Sequence, residues 1–301
     1  MPFVTTPPAF LTTKELADLL RVKERKVYDL AAAGEVPCRR VTGKLLFPRT
    51  EIEAWIAGEA GSLGVLPADG EGSEPSALPA IVAGSHDPLL DWALREAGSG
   101  LASFFDGSLD GLVRVKARQA LLAGTHVFEA AGRWNLDHFQ ADFAALPTVA
   151  LHWAGRSQGM ILPPGTRVAD FGALAGKRLV LRQETAGSHI LFQHFAAEAG
   201  LQPSAYETVE VVRTETEAAE AVASGRAEAA LGLEAAARSF GLAFQPLIQE
   251  TFDLLLWQRA YFEPPLQALW HFCAGRAFRD KAAELGGYDL SGHGQVRWIG
   301  G

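Results

Sequence analysis

The chain has 301 residues, with 27 Lys and Arg against 35 Asp and Glu and a formal net charge of −8 at pH 7. Roughly 100–200 residues per domain makes this two or three domains, and 48% hydrophobic with 21% charged residues excludes wholesale disorder. The acidic balance excludes a protein that coats nucleic acid through bulk charge, but it leaves room for a small basic module.

Cys38 and Cys273 lie far apart, so there is no disulfide framework and no CxxC metal motif. The first residues lack a basic segment followed by an apolar one, which argues against a secretory leader. No run reaches the ~18–20 apolar residues of a membrane span. The expectation is a cytoplasmic protein that does not engage a membrane.

The chain divides at a connector. Residues 58–78 are dominated by Gly, Ser, Pro, Ala and acids without a periodic apolar face, the composition of a flexible linker. Residues 1–58 carry nine Lys and Arg against seven Asp and Glu, and the remainder eighteen against twenty-eight. A basic module joined to an acidic domain has this asymmetry.

In the first segment (residues 1–57), Thr12 or Thr13 caps a predicted helix with Glu15 in its first turn. Leu16, Leu19 and Leu20 form an apolar stripe at helical spacing. After a break at 21–23 a second helix carries Val27, Leu30 and Ala31 on one face, with Lys23, Arg25, Lys26 and Tyr28 on the others. Gly34 ends it as a C-cap glycine does. Residues 36–41 and 44–47 flank Thr42-Gly43 as a β-hairpin, and a last helix starts at Pro48 and runs through Ile52, Trp55 and Ile56.

The run Leu11-Thr12-Thr13-Lys14-Glu15-Leu16-Ala17-Asp18-Leu19-Leu20, with Val27-Tyr28, Gly34-Glu35-Val36-Pro37, Phe47-Pro48 and Ile52-Trp55, resembles the excisionase-type, MerR-like winged helix-turn-helix over residues 10–57. The resemblance implies double-stranded DNA as partner. Lys23, Arg25, Lys26 and Tyr28 would face the major groove, and Arg39, Arg40 and Lys44 would contact phosphates. One such module touches few phosphates, so a homodimer is expected. The alternative is a solvated charged face on a small interaction domain.

From residue 79 short apolar strands alternate with helices, the pattern of an α/β domain. Four predicted strands end in loops of small and hydroxyl residues: Gly84-Ser85-His86-Asp87-Pro88, the loop from Asp106 to Leu112, Gly124-Thr125-His126, and the loop from Gln183 to His189. Three precede a predicted helix. Glycine lets a ligand approach the backbone, and free N–H groups at a helix start attract anions; in open α/β sheets ligands bind at this edge. Alternatively these residues are only caps and turn formers. No GxGxxG or GxxxxGK[ST] appears, and Ser188 does not sit in GxSxG. His86, His126, His152, His189 and His194 show no metal-ligand spacing. No enzyme and no resident cofactor or metal is expected.

Ser85-His86-Asp87, Gly107-Ser108-x-Asp110-Gly111-Leu112 and Ala123-Gly124-Thr125-His126 open a second resemblance. It continues at Arg156-Ser157-Gln158-Gly159-Met160-Ile161, Arg182-Gln183, Gly187-Ser188, the run from Ala221 to Gly232 and the run from Pro246 to Leu254. Together these resemble a cytoplasmic molybdate-binding-protein-like domain over nearly all of residues 80–275. That family implies an α/β two-lobe periplasmic-binding-protein-like (type II) fold at residues 79–301, joined to the small N-terminal winged helix-turn-helix. It implies lobe one at 80–153 and 254–301 and lobe two at 154–253. The hinge would be crossed by Thr148–Trp153 and recrossed by residues 253–256.

The ligand implied is an oxyanion such as molybdate or tungstate, held by backbone N–H groups and the hydroxyls of Ser85, Ser108, Thr125 and Ser188, with His86, His126 and Arg156 as further contacts. The family's fourth loop usually reads Gly-Ser-Gly-Thr-Arg, whereas here it is Thr185-Ala186-Gly187-Ser188-His189. Two alternatives stay open: a site for a small organic acid shaped by the histidines, Trp153 and Trp257, and a His-rich cleft acting as a metal site or enzyme.

Overall fold

The structure, a computed structural model, describes residues 10–20, 22–32, 36–41, 44–49, 52, 78–129 and 132–301. They fall into two compact units, Met1–Pro75 and Ser76–Gly301.

In the first unit β1 (Phe10–Thr12) leads into α1 (Thr13–Leu20), followed by α2 (Glu24–Ala32), β2 (Arg39–Val41) and β3 (Lys44–Pro48). The α1 entry is a reciprocal cap. The Glu15 carboxylate accepts from the Thr12 N–H at 2.7 Å, and the Glu15 N–H donates back to the Thr12 hydroxyl at 3.3 Å. The strands form an antiparallel sheet in the order β1-β3-β2. Strand β1 is a three-residue element too short for an alternation signal. Leu11, Leu16, Ala17, Val27, Val36, Phe47 and Ile52 fill the core. Most of the helix expected after Pro48, and the connector at 58–78 apart from Leu78, lie outside the described residues.

In the second unit β4 (Ile81–Gly84), α3 (Pro88–Glu96), β5 (Ala102–Phe105), α4 (Ser108–Lys116), β6 (Leu122–Thr125) and α5 (Leu136–Phe143) build one lobe. The chain leaves along β7 (Thr148–Leu162), a 15-residue strand. It then makes β8 (Arg178–Arg182), α6 (Gly187–Glu198), β9 (Glu207–Val212), α7 (Glu215–Ala223), β10 (Ala229–Leu233) and α8 (Glu234–Ser239). It returns along β11 (Ala243–Trp257), also 15 residues. Helices α9 (Pro264–Cys273) and α10 (Arg276–Leu285), with β12 (Tyr288–Asp289) and β13 (Val296–Ile299), complete the first lobe.

The sheet path is β5-β4-β6-β11-β7-β10-β8-β9, with β12 and β13 added on β7. This is the α/β two-lobe, periplasmic-binding-protein-like architecture, with β7 and β11 shared by both lobes. Strand β6 pairs with β11 at 253–256, whereas β10 pairs with β7 at 158–161. The stretch between, about Arg156 and Glu250, is where the two strands pair across the hinge. The crossing therefore lies a few residues beyond the apolar run Thr148–Trp153, because that run pairs with β13 inside lobe one. Register irregularities between Pro246 and Ile248 and between Phe252 and Asp253 bracket it. Such bulges bend a strand and increase its twist.

Lobe one packs its sheet on a single large core that includes Leu89, Leu90, Phe139, Trp153, Leu255 and Phe278. Lobe two has two apolar layers, one containing Met160, Leu191 and Phe192, the other Ile161, Val180 and Val222. Trp134, from the loop before α5, packs into the first of these. Among the described residues no helix is long and apolar enough to cross a membrane.

Gly124 is fixed by packing rather than by turn geometry. A Cβ there would lie 2.6 Å from the Phe252 ring, itself fully buried. Gly124→Ala is expected to lower the free energy of unfolding, read from denaturant titration, by about 1–3 kcal/mol, the range for overpacking a filled core. Phe252→Leu in the same chain is expected to restore part of that loss, whereas simple additivity of the two substitutions would count against this contact.

Candidate functional site

The carboxyl ends of β4, β5, β6 and β8 meet at the seam between the lobes. Asp87 caps α3, accepting from the Leu90 N–H at 2.7 Å, with Pro88 in the first turn. This fixes Ser85 and His86 just before the helix. The Ser85 and Ser108 hydroxyls lie 2.9 Å apart, and the Ser108 oxygen accepts the His126 N–H at 3.1 Å. Across the seam, a Cβ on Gly187 would stand 2.3 Å from the His126 carbonyl oxygen, so only glycine admits this approach. Ser188 donates its hydroxyl to Glu215 at 3.2 Å, and the same carboxylate oxygen pairs with Arg182. Helices α4 and α6 open at Gly107 and Ala186 without a side-chain cap.

The lobes are in contact around this seam. The Leu109 N–H donates to the Thr185 carbonyl at 3.1 Å, the Thr185 hydroxyl donates to the Asp106 carbonyl at 2.8 Å, and Arg213 pairs with Asp106 at 2.6 Å.

The hinge floor is an ionic cluster. Asp87 is fully buried and accepts from Arg156 at 3.0 Å, Trp153 Nε1 at 3.0 Å and the Tyr288 hydroxyl at 2.7 Å, besides its cap bond. Arg156 uses its other terminal nitrogen on Glu250, and His126 Nδ1–H donates to Glu250 at 2.8 Å. The Arg156 guanidinium also lies 4.1 Å over the Phe252 ring. Burial alone would lower the Arg156 pKa, but Glu250 and then Asp87 hold it above its ordinary value. For Glu250, burial works against ionisation, yet Arg156 and then His126 keep its pKa below the usual range. Burial raises the Tyr288 pKa well above its ordinary value, with Asp87 adding to it, so its hydroxyl stays a donor.

All seven residues expected as ligand contacts, Ser85, His86, Ser108, Thr125, His126, Arg156 and Ser188, are buried at this seam. Arg156 serves mainly as the clamp between Asp87 and Glu250. The Thr125 hydroxyl makes a long 3.5 Å contact to the Asp253 carbonyl. Trp153 and Trp257, weighed above as walls of an organic-acid site, belong instead to the core of lobe one. His152, His189 and His194 disperse to Asp253, the Arg182 carbonyl and Glu198. Among the described residues no three His, Cys, Asp or Glu side chains are placed to hold a metal ion.

The residue-level prediction omitted Asp87, Gln158, Arg182, Glu215 and Glu250. His86 Nδ1, His126 Nε2, Arg182 Nε and both amide atoms of Gln158 are buried without a hydrogen-bond partner among the described residues. Buried polar atoms in such numbers in one place call for a polar occupant.

On the first unit, Lys23, Arg25 and Lys26 are exposed and Tyr28 is 52% exposed. Arg39 and Arg40 lie on β2 and Lys44 on β3, with their side chains outside the described residues.

His86 is held below its ordinary pKa, first by burial and then by Arg182, against the opposing pull of Asp87 and Glu215. His293 is lowered as well, mainly by burial. The unfolded chain titrates these imidazoles near about 6.5, so below that pH it takes up protons that the folded chain refuses. Stability should therefore decline as pH falls from about 6.5 toward their folded values. Glu250 contributes fully above about 4.5 and loses its contribution as pH falls through its lowered folded value. Denaturant midpoints followed from pH 8 down past the ordinary glutamate range should show these two stages, and His86→Gln should reduce the first. A midpoint that stays level from pH 7 to 5 would count against neutral, buried imidazoles.

Residues 91–274 match the family model described as the PBP superfamily domain, and residues 10–60 match that of a helix-turn-helix domain. An uncharacterized protein, YvgK, of Bacillus subtilis (strain 168) is 22% identical over 299 residues, 95% of this chain and 96% of that protein. Among solved structures, a putative phosphate ABC transporter substrate-binding protein with bound phosphate from Clostridium perfringens is 10% identical, covering 69% of this chain and 98% of that one, TM-score 0.47. PhnD1 from Prochlorococcus marinus (MIT 9301), in complex with methylphosphonate, is 10% identical over 66% of this chain and 86% of that one, TM-score 0.45. With more than half of its length matching the first model, the chain belongs to the PBP superfamily domain family and carries a helix-turn-helix domain in its first 60 residues.

Proposed function

We propose that this protein is a one-component transcriptional regulator whose two-lobe domain closes on a small oxyanion, with molybdate or tungstate as the first candidates. The observation that carries the reading is the set of buried nitrogens without a hydrogen-bond partner among the described residues, Arg182 Nε, the Gln158 amide nitrogen and His86 Nδ1, at the seam of a binding-protein fold. The Ser85–Ser108 hydroxyl pair, with the uncapped starts of α4 and α6, supplies neutral donors and oriented dipoles, while the Ser188 hydroxyl is already given to Glu215. Both arginines are already paired with carboxylates. A dianion is then held by hydrogen bonds and dipoles and not by spare positive charge.

The helix-turn-helix unit binds double-stranded DNA, with α2 as the groove-facing helix and the β2–β3 hairpin as the wing. Two copies acting together give enough phosphate contacts for useful affinity. Ligand closure alters DNA affinity only insofar as the ligand prefers the closed state.

A thermal-shift panel of molybdate, tungstate, sulfate, phosphate and small organic acids tests the ligand. An oxyanion at about 100 times its Kd should stabilise the folded chain by about 2.7 kcal/mol. A response to organic acids alone would transfer the site to that class, and no response to any of them would sink the anion reading.

For DNA, Arg25→Ala and Lys26→Ala should each weaken salt-sensitive duplex binding and shallow the slope of affinity against salt by about one unit. Unchanged binding and slope in both variants would remove α2 from the interface.

A further inference from the structure

We propose that Gln158 is a ligand contact that registers occupancy at the hinge itself. The inference rests on the seam being an anion site. Gln158 is fully buried, and neither its amide nitrogen nor its amide oxygen has a hydrogen-bond partner among the described residues. A core glutamine needs its donors and acceptor met by something in place.

The position of Gln158 links a contact to a movement. It stands on β7 two residues after Arg156, so both side chains leave the strand on the same face. It pairs with Leu233 of lobe two on one side and with Ile248 of β11 on the other. Ile248 follows the register irregularity after Pro246, one of the two that bracket the crossing. Ser85, Ser108 and Ser188 each belong to one lobe. Gln158 belongs to the strand that both lobes share.

An oxyanion accepting from the Gln158 amide N–H therefore bonds the bend as well as the lobes. The carbonyl oxygen of the same amide is left for water or for a protonated oxygen of the ligand. Arg156 is spent on Asp87 and Glu250, which leaves Gln158 as the neutral donor of this strand face.

The test uses the full chain with sodium molybdate and sodium tungstate as probes, read by calorimetric titration and by the change in radius of gyration on anion addition. Gln158→Met keeps the length of the side chain and removes its hydrogen bonding. It should weaken anion binding by about tenfold, the factor one buried hydrogen bond carries, and reduce the anion-induced compaction. Its ligand-free melting temperature should equal or exceed that of the parent chain, because an unmatched amide is gone. Gln158→Glu should reject both anions.

Parent-like affinity and compaction in Gln158→Met would overturn the proposal while leaving the anion site intact. A lower ligand-free melting temperature with unchanged affinity would also overturn it, by making Gln158 a structural residue. If the parent chain itself takes up neither anion, the anion reading falls and this inference falls with it.

Discussion

Burying an arginine at the crossing of two lobes is the constraint around which the ligand domain is arranged. Arg156 is 1% exposed, and a guanidinium so deeply removed from water is tolerable only if its charge and its donors are met at once. Asp87 and Glu250 meet them from two directions, one at the cap of a lobe-one helix and the other on the returning strand. Each carboxylate is held in turn, Asp87 by Trp153, Tyr288 and the Leu90 N–H, Glu250 by His126. Removing either acid would leave one side of the buried guanidinium without its acceptor, which costs more than an exposed pair is worth. The cluster thus ties the Ser85 loop, the β6 end and the C-terminal β12 to one point on the hinge.

That closure of charge decides what kind of chemistry remains for a ligand. Arg182 is likewise bound to Glu215, and burial lowers its pKa against the pull of that carboxylate. What the seam has in excess is hydroxyls, ring nitrogens, amides and helix starts. These select on geometry and on the acceptor count of the guest, since each must be matched or left unpaired. A chain of net charge −8 has no long-range field to draw in an anion, so its selectivity has to be local.

Much of this arrangement was legible in the sequence, for a physical reason. Loops of glycine and hydroxyl residues at strand ends are local features, and Ser85, Ser108, Thr125 and Ser188 could be placed from their neighbours alone. The capping pair Thr12 and Glu15 was equally local. Glu250 and Arg182 were not, because a charged residue in a strand ordinarily marks the solvent face. Here β7 is buried through the crossing, whereas on β11 the buried Glu250 stands between the exposed Gln249 and the half-buried Thr251, and its residue type alone reads as an exposed glutamate. Glu215 sits in the first turn of α7, where acids are common for dipole reasons, and nothing in its spacing points to Arg182. The apolar run from Thr148 suggested the hinge, but hydrophobicity tracks the core of lobe one, and the crossing itself is the more polar stretch around Arg156.

The contacts across the seam set how firmly the two lobes are held together. Apart from Phe128 and Trp134, which reach from the lobe-one segment into lobe two, the apolar layers lie within single lobes. Besides the apolar contact of Phe128 and Trp134 with lobe two, the contacts between lobes are polar: Leu109 to Thr185, Thr185 to Asp106, and Arg213 to Asp106. Water can replace each of them at small net change in free energy. The chain enters this domain at β4, whose end carries Ser85 and His86. Under the proposed function, a ligand gripped there would act on the first strand after the connector, and by linkage any effect it had on DNA affinity would be matched by an equal effect of DNA on ligand affinity.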